Sequence, residues 1–318
     1  MEPRVVVTRA VPEPALRLLR PLGDLWVSPE DRPLTRAELA DALRDATGVV
    51  AMLHDRVDDA FLDAAGPGLR VVANVAAGTD NVDLDAVRRR GVVLTNTPGA
   101  VVEATADLTM ALLLGITRRV GEGDRLLRSG STWSWSMSFM LGTGLQGKLL
   151  GLVGYGAIGQ AVARRAAAFG MRIAYTARRE VPGGGDAGAV RLPLGELLAT
   201  SDVVSLHCPL TPETRHLIDR DALRSMRRDA YLVNTSRGPV VDEAALAEAL
   251  REGWIRGAAL DVFEREPRVH PGLAETDAVL MTPHLGSATV ETREAMAVLA
   301  ARNVAEVVQG RPPVTPVP

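Results

Sequence analysis

Cysteine is almost missing from this chain. Cys208 is the only one in 318 residues, which excludes internal disulfides and a thiolate metal cluster and fits a reducing compartment. Lysine is just as scarce: Lys148 stands alone among the basic residues and the rest are arginine, a signature of genome composition more than of function. The net charge of −3 leaves no excess of positive charge to attract nucleic acid, and runs such as Arg88-Arg89-Arg90 read as solvated helix ends. No apolar run is long enough to span a bilayer, no solenoid period repeats, and no low-complexity linker occurs. The N-terminus passes from Met-Glu-Pro-Arg directly into Val5-Val6-Val7 with no signal-peptide pattern, so a soluble cytoplasmic protein without membrane or nucleic-acid partners is expected.

What is present is a globular composition, 47% hydrophobic and 24% charged, in a length that suits two domains. The most informative stretch runs from Lys148 to Ala177, KLLGLVGYGAIGQAVARRAAAFGMRIAYTA. Leu149–Val153 reads as a buried parallel strand. It breaks into Gly154-Tyr-Gly156-Ala-Ile-Gly159, a helical pattern follows, Gly170 closes it, and Met171–Tyr175 reads as the next strand. Gly154 permits the tight turn, Gly156 leaves room for a pyrophosphate, and Gly159 lets helix and strand pack closely. The helix start then offers free N–H groups to the phosphates, which predicts dinucleotide binding.

Strand and helix patterns alternate on either side of this unit. Strands are predicted at 4–8, 24–27, 48–53, 71–75 and 92–94, with helices at 12–20, 35–43, 58–65 and 84–90 between them. At Thr97-Pro98-Gly99 the pattern changes to a long apolar helix, about 102–118, which suits either a domain core or a buried interface. A second helix and the segment STWSWSMSFMLGTGLQG follow, in which Trp133, Trp135, Met137, Phe139 and Met140 alternate with small residues as an extended arm or a capping loop. Further strands are predicted at 203–207, 230–234, 255–260 and 279–281. An amphipathic helix at 289–308 packs back on the first domain, and RPPVTPVP forms an extended, peripheral tail. The fold class is α/β: two Rossmann-like doubly wound parallel-sheet domains, with the active-site cleft expected between them.

Three polar clusters lie at carboxyl ends of predicted strands, where open α/β sheets place their ligands. They are Asn234-Thr-Ser-Arg237-Gly238, Asp261-Val-Phe-Glu-Arg-Glu266-Pro267 and Thr282-Pro283-His284-Leu-Gly286. Each alone suits a helix cap, a surface carboxylate or a loop histidine. Together, downstream of a dinucleotide turn, an arginine, a carboxylate and a histidine on one sheet edge point to catalysis.

These segments, with AGTDNVDLDA at 77–86 and NTPGAVVEATADL at 96–108, resemble the D-isomer-specific 2-hydroxyacid dehydrogenase family over nearly the whole chain, and most closely its glyoxylate/hydroxypyruvate reductase branch. The resemblance implies a catalytic, substrate-binding domain formed by residues 1–98 and 287–318, with a dinucleotide-binding domain, 99–286, inserted into it. It implies an oxidoreductase that passes a hydride from NAD(P)H to C2 of a small 2-oxo acid such as glyoxylate or hydroxypyruvate. Arg237 would hold the substrate carboxylate and polarise its carbonyl, His284 would exchange the proton, and Glu266 would stabilise the imidazolium and fix its tautomer. The backbone clamp for the carboxylate falls on Ala76, Ala77 and Gly78, with Leu53 nearby. His54 is a wall or surface residue rather than a second acid.

Cofactor contacts map to Thr105, Gly154, Gly156, Ala157, Ile158, Gly159, Cys208, Pro209, Thr235, Ser236, Asp261 and Gly286, with Cys208 a wall residue and no nucleophile. Where an NAD enzyme usually carries a carboxylate to bind the ribose hydroxyls, this chain has Ala177 followed by Arg178 and Arg179, so NADP is the expected preference, with NAD also admitted. Met52 stands where phosphoglycerate enzymes place a phosphate-binding arginine, which argues against a phosphorylated substrate. The aromatic arm resembles a segment that reaches the neighbouring active site in homodimers of the branch. The alternatives are another 2-hydroxyacid dehydrogenase of the family, for phosphoglycerate, a branched 2-oxo acid, formate or phosphite, or a non-catalytic nucleotide-sensing corepressor.

Overall fold

The computed structural model describes residues 2–318, with the backbone alone for Pro182, Gly183 and Asp186. Two compact units make up the chain, one of residues 1–101 and 288–318, the other of residues 102–287. Elements in chain order are β1 (Arg4–Val7), α1 (Glu13–Leu19), β2 (Asp24–Val27), α2 (Arg36–Leu43), β3 (Gly48–Met52), α3 (Asp59–Ala65), β4 (Val71–Val75), α4 (Leu84–Arg89) and β5 (Val93–Thr95). The second unit contributes α5 (Val102–Thr117), α6 (Val120–Arg128), β6 (Leu149–Val153), α7 (Ala157–Ala168), β7 (Arg172–Thr176), β8 (Val190–Arg191), α8 (Leu194–Thr200), β9 (Val203–Leu206), α9 (Arg220–Ser225), β10 (Tyr231–Asn234), α10 (Glu243–Arg251), β11 (Gly257–Leu260), α11 (Pro271–Ala274) and β12 (Val279–Met281). The last helix, α12 (Val290–Val308), returns to the first unit.

Many of these helices begin where a short polar side chain can take an orphan N–H. Thr35, Asp58, Asp83, Asp219, Asp242 and Thr289 each accept from the backbone N–H three residues on, in the helix they precede, a contact worth roughly 1 kcal/mol apiece. Thr35 and Glu38 form a reciprocal capping box. The inner strands β3, β4, β6, β9, β10 and β11 are largely apolar and buried on both faces, as a parallel sheet covered by helices requires, whereas the edge strands β2 and β8 stay partly or wholly exposed.

In the first unit the strand order is β2-β1-β3-β4-β5, all parallel, with α1 and α12 on one face. In the second it is β12-β11-β10-β9-β6-β7-β8, also all parallel. Order therefore reverses between β6 and β9, and the carboxyl edge beside such a reversal is where open sheets bind ligands. The apolar helix α5 is spent on the second unit's own core: Ala106, Met110 and Leu113 pack with α7 and the middle strands.

Predicted boundaries move by a few residues at most. Residues 311–318 are extended and at the surface, as expected, but they are also tied to the sheet. Val317 N–H donates to the Leu94 carbonyl, Thr315 Oγ1 donates to the Asn96 carbonyl at 2.6 Å, and Pro316 bridges antiparallel to Thr95. The tail covers the free edge of β5, backbone that would otherwise stand unpaired. The arginine run is ion-paired rather than free: Arg88 meets Asp85, Arg89 meets Asp59, and Arg90 meets Asp59 and Asp63. The 131–140 segment is irregular, with Trp133, Trp135, Met137 and Phe139 exposed and Trp133 stacked on Phe139 at 6.0 Å.

Candidate active site

The glycine turn after β6 is dictated by space. Gly154 has φ +95°, and a Cβ there would lie 2.6 Å from Cys208 N and His207 C, so the turn is pressed against the end of β9 at the reversal of strand order. A Cβ on Gly159 would lie 2.5 Å from the Gly154 carbonyl oxygen, which lets α7 seat on the turn. A Cβ on Gly156 would meet nothing within 4 Å: the surface there is open. No side chain caps the start of α7, so Ala157 and Ile158 begin a twelve-residue helix whose N-terminal dipole is open to an anion. That is a cradle of the right shape and polarity for a dinucleotide pyrophosphate.

Around the turn, Thr105 Oγ1 donates to the Gly286 carbonyl at 3.2 Å, and Thr109 and Thr235 hydroxyls lie 2.8 Å apart. Pro209 is exposed, and its carbonyl accepts from Thr214 Oγ1. Burial pushes the half-buried Cys208 thiol up to about 11, which leaves it an inert wall. β7 ends at Thr176, and Ala177 is followed by exposed Arg178 and Arg179. Two further residues at this corner escaped a reading made strand by strand. Arg191 donates to the carbonyls of Ala177 and Arg178 at 2.8 and 3.5 Å, because β8 pairs with β7. Glu213 is held below the usual carboxylate range by the Thr211 hydroxyl and, further down, by the charge of Arg178.

The ends of β10, β11 and β12 carry the polar clusters, and the structure brings them together. Beyond β10, Asn234 Oδ1 accepts from Ser236 N–H and hydroxyl while its Nδ2 donates to the Arg237 carbonyl at 2.9 Å, which fixes the loop that bears Arg237. Gly238 follows with no room for a side chain: a Cβ would fall 1.9 Å from Phe263 C and 2.4 Å from Glu264 N. This contact locks the Arg237 loop onto the loop that bears Glu266.

Glu266 Oε1 accepts from Phe263 N–H at 3.1 Å, and its Oε2 lies 2.8 Å from His284 Nδ1. Burial pushes the Glu266 carboxyl up. The hydrogen bond and charge of His284, the Phe263 N–H and the Arg237 guanidinium outweigh it and hold the carboxyl below its ordinary range. With Nδ1–H given to Glu266, Nε2 of His284 is the nitrogen left to exchange a proton.

His284 has φ +54°, a left-handed conformation that is unfavourable for a histidine. Asp261 secures it. Its backbone carbonyl accepts from His284 N–H at 2.8 Å, and its carboxylate accepts from Thr282 Oγ1, Leu285 N–H and Gly286 N–H at 2.6, 2.7 and 2.8 Å. Burial pushes the Asp261 carboxyl up, and these bonds together with the charge of His284 only partly oppose it. In the sequence Asp261 reads as a cofactor contact; in the structure it is also the support of the histidine loop, a role carried by atoms that only the turn after β12 brings close.

In the first unit, Leu53 lies in the turn after β3 and Ala76-Ala77-Gly78 in the loop after β4, both at the carboxyl edge of that sheet. His54 lies in the same turn, lining a cavity of about 380 Å³ with Leu39, Phe61 and Arg36. Among the described residues no group of three or more His, Cys, Asp or Glu side chains could hold a metal, and no helix is long and apolar enough to cross a membrane.

Comparison with known proteins agrees with this geometry. Residues 110–286 match the family described as D-isomer specific 2-hydroxyacid dehydrogenase, NAD binding domain. The chain is 46% identical to a glyoxylate reductase of Pyrococcus furiosus, over 99% of this chain and 95% of that protein, and 45% identical to a glyoxylate reductase of Thermococcus onnurineus, over 99% and 96%. The crystal structure of an NADPH-dependent glyoxylate/hydroxypyruvate reductase from Sinorhizobium meliloti, in complex with NADP and malonate, superposes with a TM-score of 0.88 at 33% identity, covering 100% of this chain and 97% of that one. The chain thus belongs to the D-isomer specific 2-hydroxyacid dehydrogenases.

Proposed function

We propose that the protein reduces a small 2-oxo acid, glyoxylate or hydroxypyruvate, to the D-2-hydroxy acid with NADPH as the preferred cofactor. The observation that carries this reading is the His284–Glu266 pair at 2.8 Å, held on the same sheet edge as Arg237 and the open glycine turn. Gly154, Gly156, Ala157, Ile158 and Gly159 hold the pyrophosphate, and Thr105, Cys208, Pro209, Thr235, Ser236, Asp261 and Gly286 line the rest of the nucleotide. Bound there, the nicotinamide supplies the hydride that reaches C2.

Arg237 binds the carboxylate and draws charge from the carbonyl through its rigid, planar guanidinium fork. His284 delivers a proton from Nε2 to the carbonyl oxygen as it gains the electron pair, and Glu266 offsets the imidazolium charge before that transfer. The balance is one 2-oxo acid, one reduced nucleotide and one proton in, and one 2-hydroxy acid and oxidised nucleotide out. The same reading assigns the N–H groups of Ala77 and Gly78, with Leu53, to the substrate, so that residues 1–98 and 287–318 serve as the substrate domain and 99–286 as the nucleotide domain.

Arg178 and Arg179 favour the 2′-phosphate, at the end of β7 where Ala177 stands in place of the usual ribose-binding carboxylate. The exposed Trp133–Leu141 segment and helix α6, none of whose residues is fully buried, fit a second copy of the chain, giving a cytoplasmic homodimer. A steady-state panel of glyoxylate, hydroxypyruvate, pyruvate and phenylpyruvate, each with NADPH and NADH, tests the whole reading. The two small acids with NADPH should lead; failure of all four with either nucleotide overturns it.

A further inference from the structure

The loop Ala76-Ala77-Gly78 has each of its three carbonyls pinned from the side of its own unit. Thr97 N–H donates to the Ala76 carbonyl at 2.8 Å, Asn96 Nδ2 to the Ala77 carbonyl at 2.7 Å and Asn74 Nδ2 to the Gly78 carbonyl at 3.1 Å. In a trans peptide the carbonyl of one residue and the N–H of the next point in opposite directions. Pinning these three oxygens therefore aims the N–H groups of Ala77, Gly78 and Thr79 the other way. Among the described residues, no hydrogen bond takes up any of the three. Successive free N–H groups in one loop make a concave anion site.

The two asparagines are themselves fixed. Asn74, fully buried, exchanges hydrogen bonds with Asn81 at 3.0 and 3.2 Å, and Asn81 Nδ2 also donates to the Asp55 carbonyl at 2.9 Å, tying in the turn that holds Leu53. Asn96 is held by the C-terminal tail: Thr315 Oγ1 donates to its carbonyl at 2.6 Å, and its N–H donates back to the Thr315 carbonyl at 3.4 Å. Thr315 is set in turn by Asn303 of α12, fully buried, which accepts from Thr315 N–H at 3.0 Å and donates to its hydroxyl at 2.8 Å.

We propose that Asn74 and Asn96 are positioning residues for substrate binding, pinning the Gly78 and Ala77 carbonyls so that the loop presents its N–H groups to the substrate carboxylate, and that the tail acts on the substrate site by holding Asn96 through Thr315. The inference rests on the reading of residues 76–78 as the carboxylate clamp. It separates substrate from cofactor, because every residue in the relay belongs to the first unit and the dinucleotide turn to the second.

The test uses the full-length enzyme and the variants Asn96→Leu, Asn74→Leu and Thr315→Val, with oxamate as a non-reacting carboxylate probe. Asn96→Leu and Asn74→Leu should raise the glyoxylate KM and the oxamate inhibition constant at least about tenfold, the loss expected when a hydrogen bond to a charged group is misaimed. Turnover at saturation should fall much less, and the NADPH Kd should stay within about twofold, since uniform binding rather than the chemical step is removed. Thr315→Val should shift the same two constants in the same direction, by less. Unchanged KM and oxamate binding overturn the proposal, as does a parallel loss of NADPH affinity, which a merely structural role would give. If the asparagine variants do not fold, Thr315→Val decides: a wild-type KM overturns the proposal. A wild-type enzyme that neither reduces glyoxylate nor binds oxamate would instead remove the clamp reading itself.

Discussion

Replacing Glu266 by Gln changes one atom at the pair that orients His284. The amide oxygen can still accept from Phe263 N–H, so the loop keeps its turn. The amide nitrogen, however, would face Nδ1 at 2.8 Å, donor against donor. The ring then has to give up its Nδ1 proton, leaving a neutral imidazole where the reduction needs an imidazolium to donate from Nε2, or turn away. A hydrogen bond to a charged group is worth roughly 1.5–3 kcal/mol, and both side chains are little more than a quarter exposed, so solvent screens the pair only in part. Taken entirely from the transition state, that is about a 10- to 150-fold loss of turnover, before the weaker acidity of a neutral imidazole adds to it.

Because the Glu266 carboxyl lies below its ordinary range, the wild-type pair should persist through the usual carboxylate range as the solution is acidified. Its contribution, to activity and stability alike, should be lost only as pH falls through the depressed value, whereas Glu266→Gln should show no such acid limb. The assay is turnover against pH for both proteins under saturating glyoxylate and NADPH, with NADPH binding measured separately. Turnover within about twofold of wild type near neutral pH, where the full bond would be worth tenfold or more, would refute the role given to Glu266.

Three other outcomes follow from the same structure. The His207 ring is buried and its Nδ1 has no accessible surface, although the residue as a whole keeps some exposure; burial of the ring pushes its pKa down to about 3. The unfolded chain takes up a proton near the ordinary histidine value and the folded one does not, so stability should fall by roughly 2 kcal/mol between about pH 7 and pH 5 from this residue alone. Denaturant melts of wild type and His207→Asn across that range check it, and an equal acid dependence in both would count against a neutral buried ring. Replacing Arg178 and Arg179 together by Ser should weaken NADPH roughly tenfold or more and NADH by less than about threefold, read as Kd; equal losses would take the 2′-phosphate away from them. His284→Ala should cut turnover by about two to four orders of magnitude with NADPH Kd largely kept, and unchanged turnover would remove its proton-transfer role.

The parts of this molecule that could be read from the sequence are those whose physics is local. A glycine that needs φ +95°, an Asp or Thr before a helix, and a valine run between turns each declare themselves in their own neighbourhood, which is why β4 and β12 fall at the residues expected. Arg237, Glu266 and His284 could be gathered because each follows a strand, and parallel strands deliver their carboxyl ends to one edge. What supports them is legible only in three dimensions. Gly238 looks like an ordinary turn glycine until the Phe263 backbone is found 1.9 Å from its missing Cβ. Asp261, read from the sequence as a cofactor contact, reveals its support of the histidine loop only when the left-handed turn of His284 folds onto it.

The tail is the instructive omission. RPPVTPVP has the composition of a loose end, rich in proline and poor in pattern, and nothing local distinguishes Thr315 from a solvated threonine. Its value comes from Asn303, buried on α12, and from the unpaired edge of β5, elements remote from each other in the chain. A polar residue in a proline-rich end stays ordered when a buried amide and a bare strand edge both need partners, because an unmet buried hydrogen-bonding group costs roughly 1–3 kcal/mol. The same accounting runs on to Asn96 and the Ala77 carbonyl, so that demand for partners in the core is converted, bond by bond, into the aim of a loop at the surface.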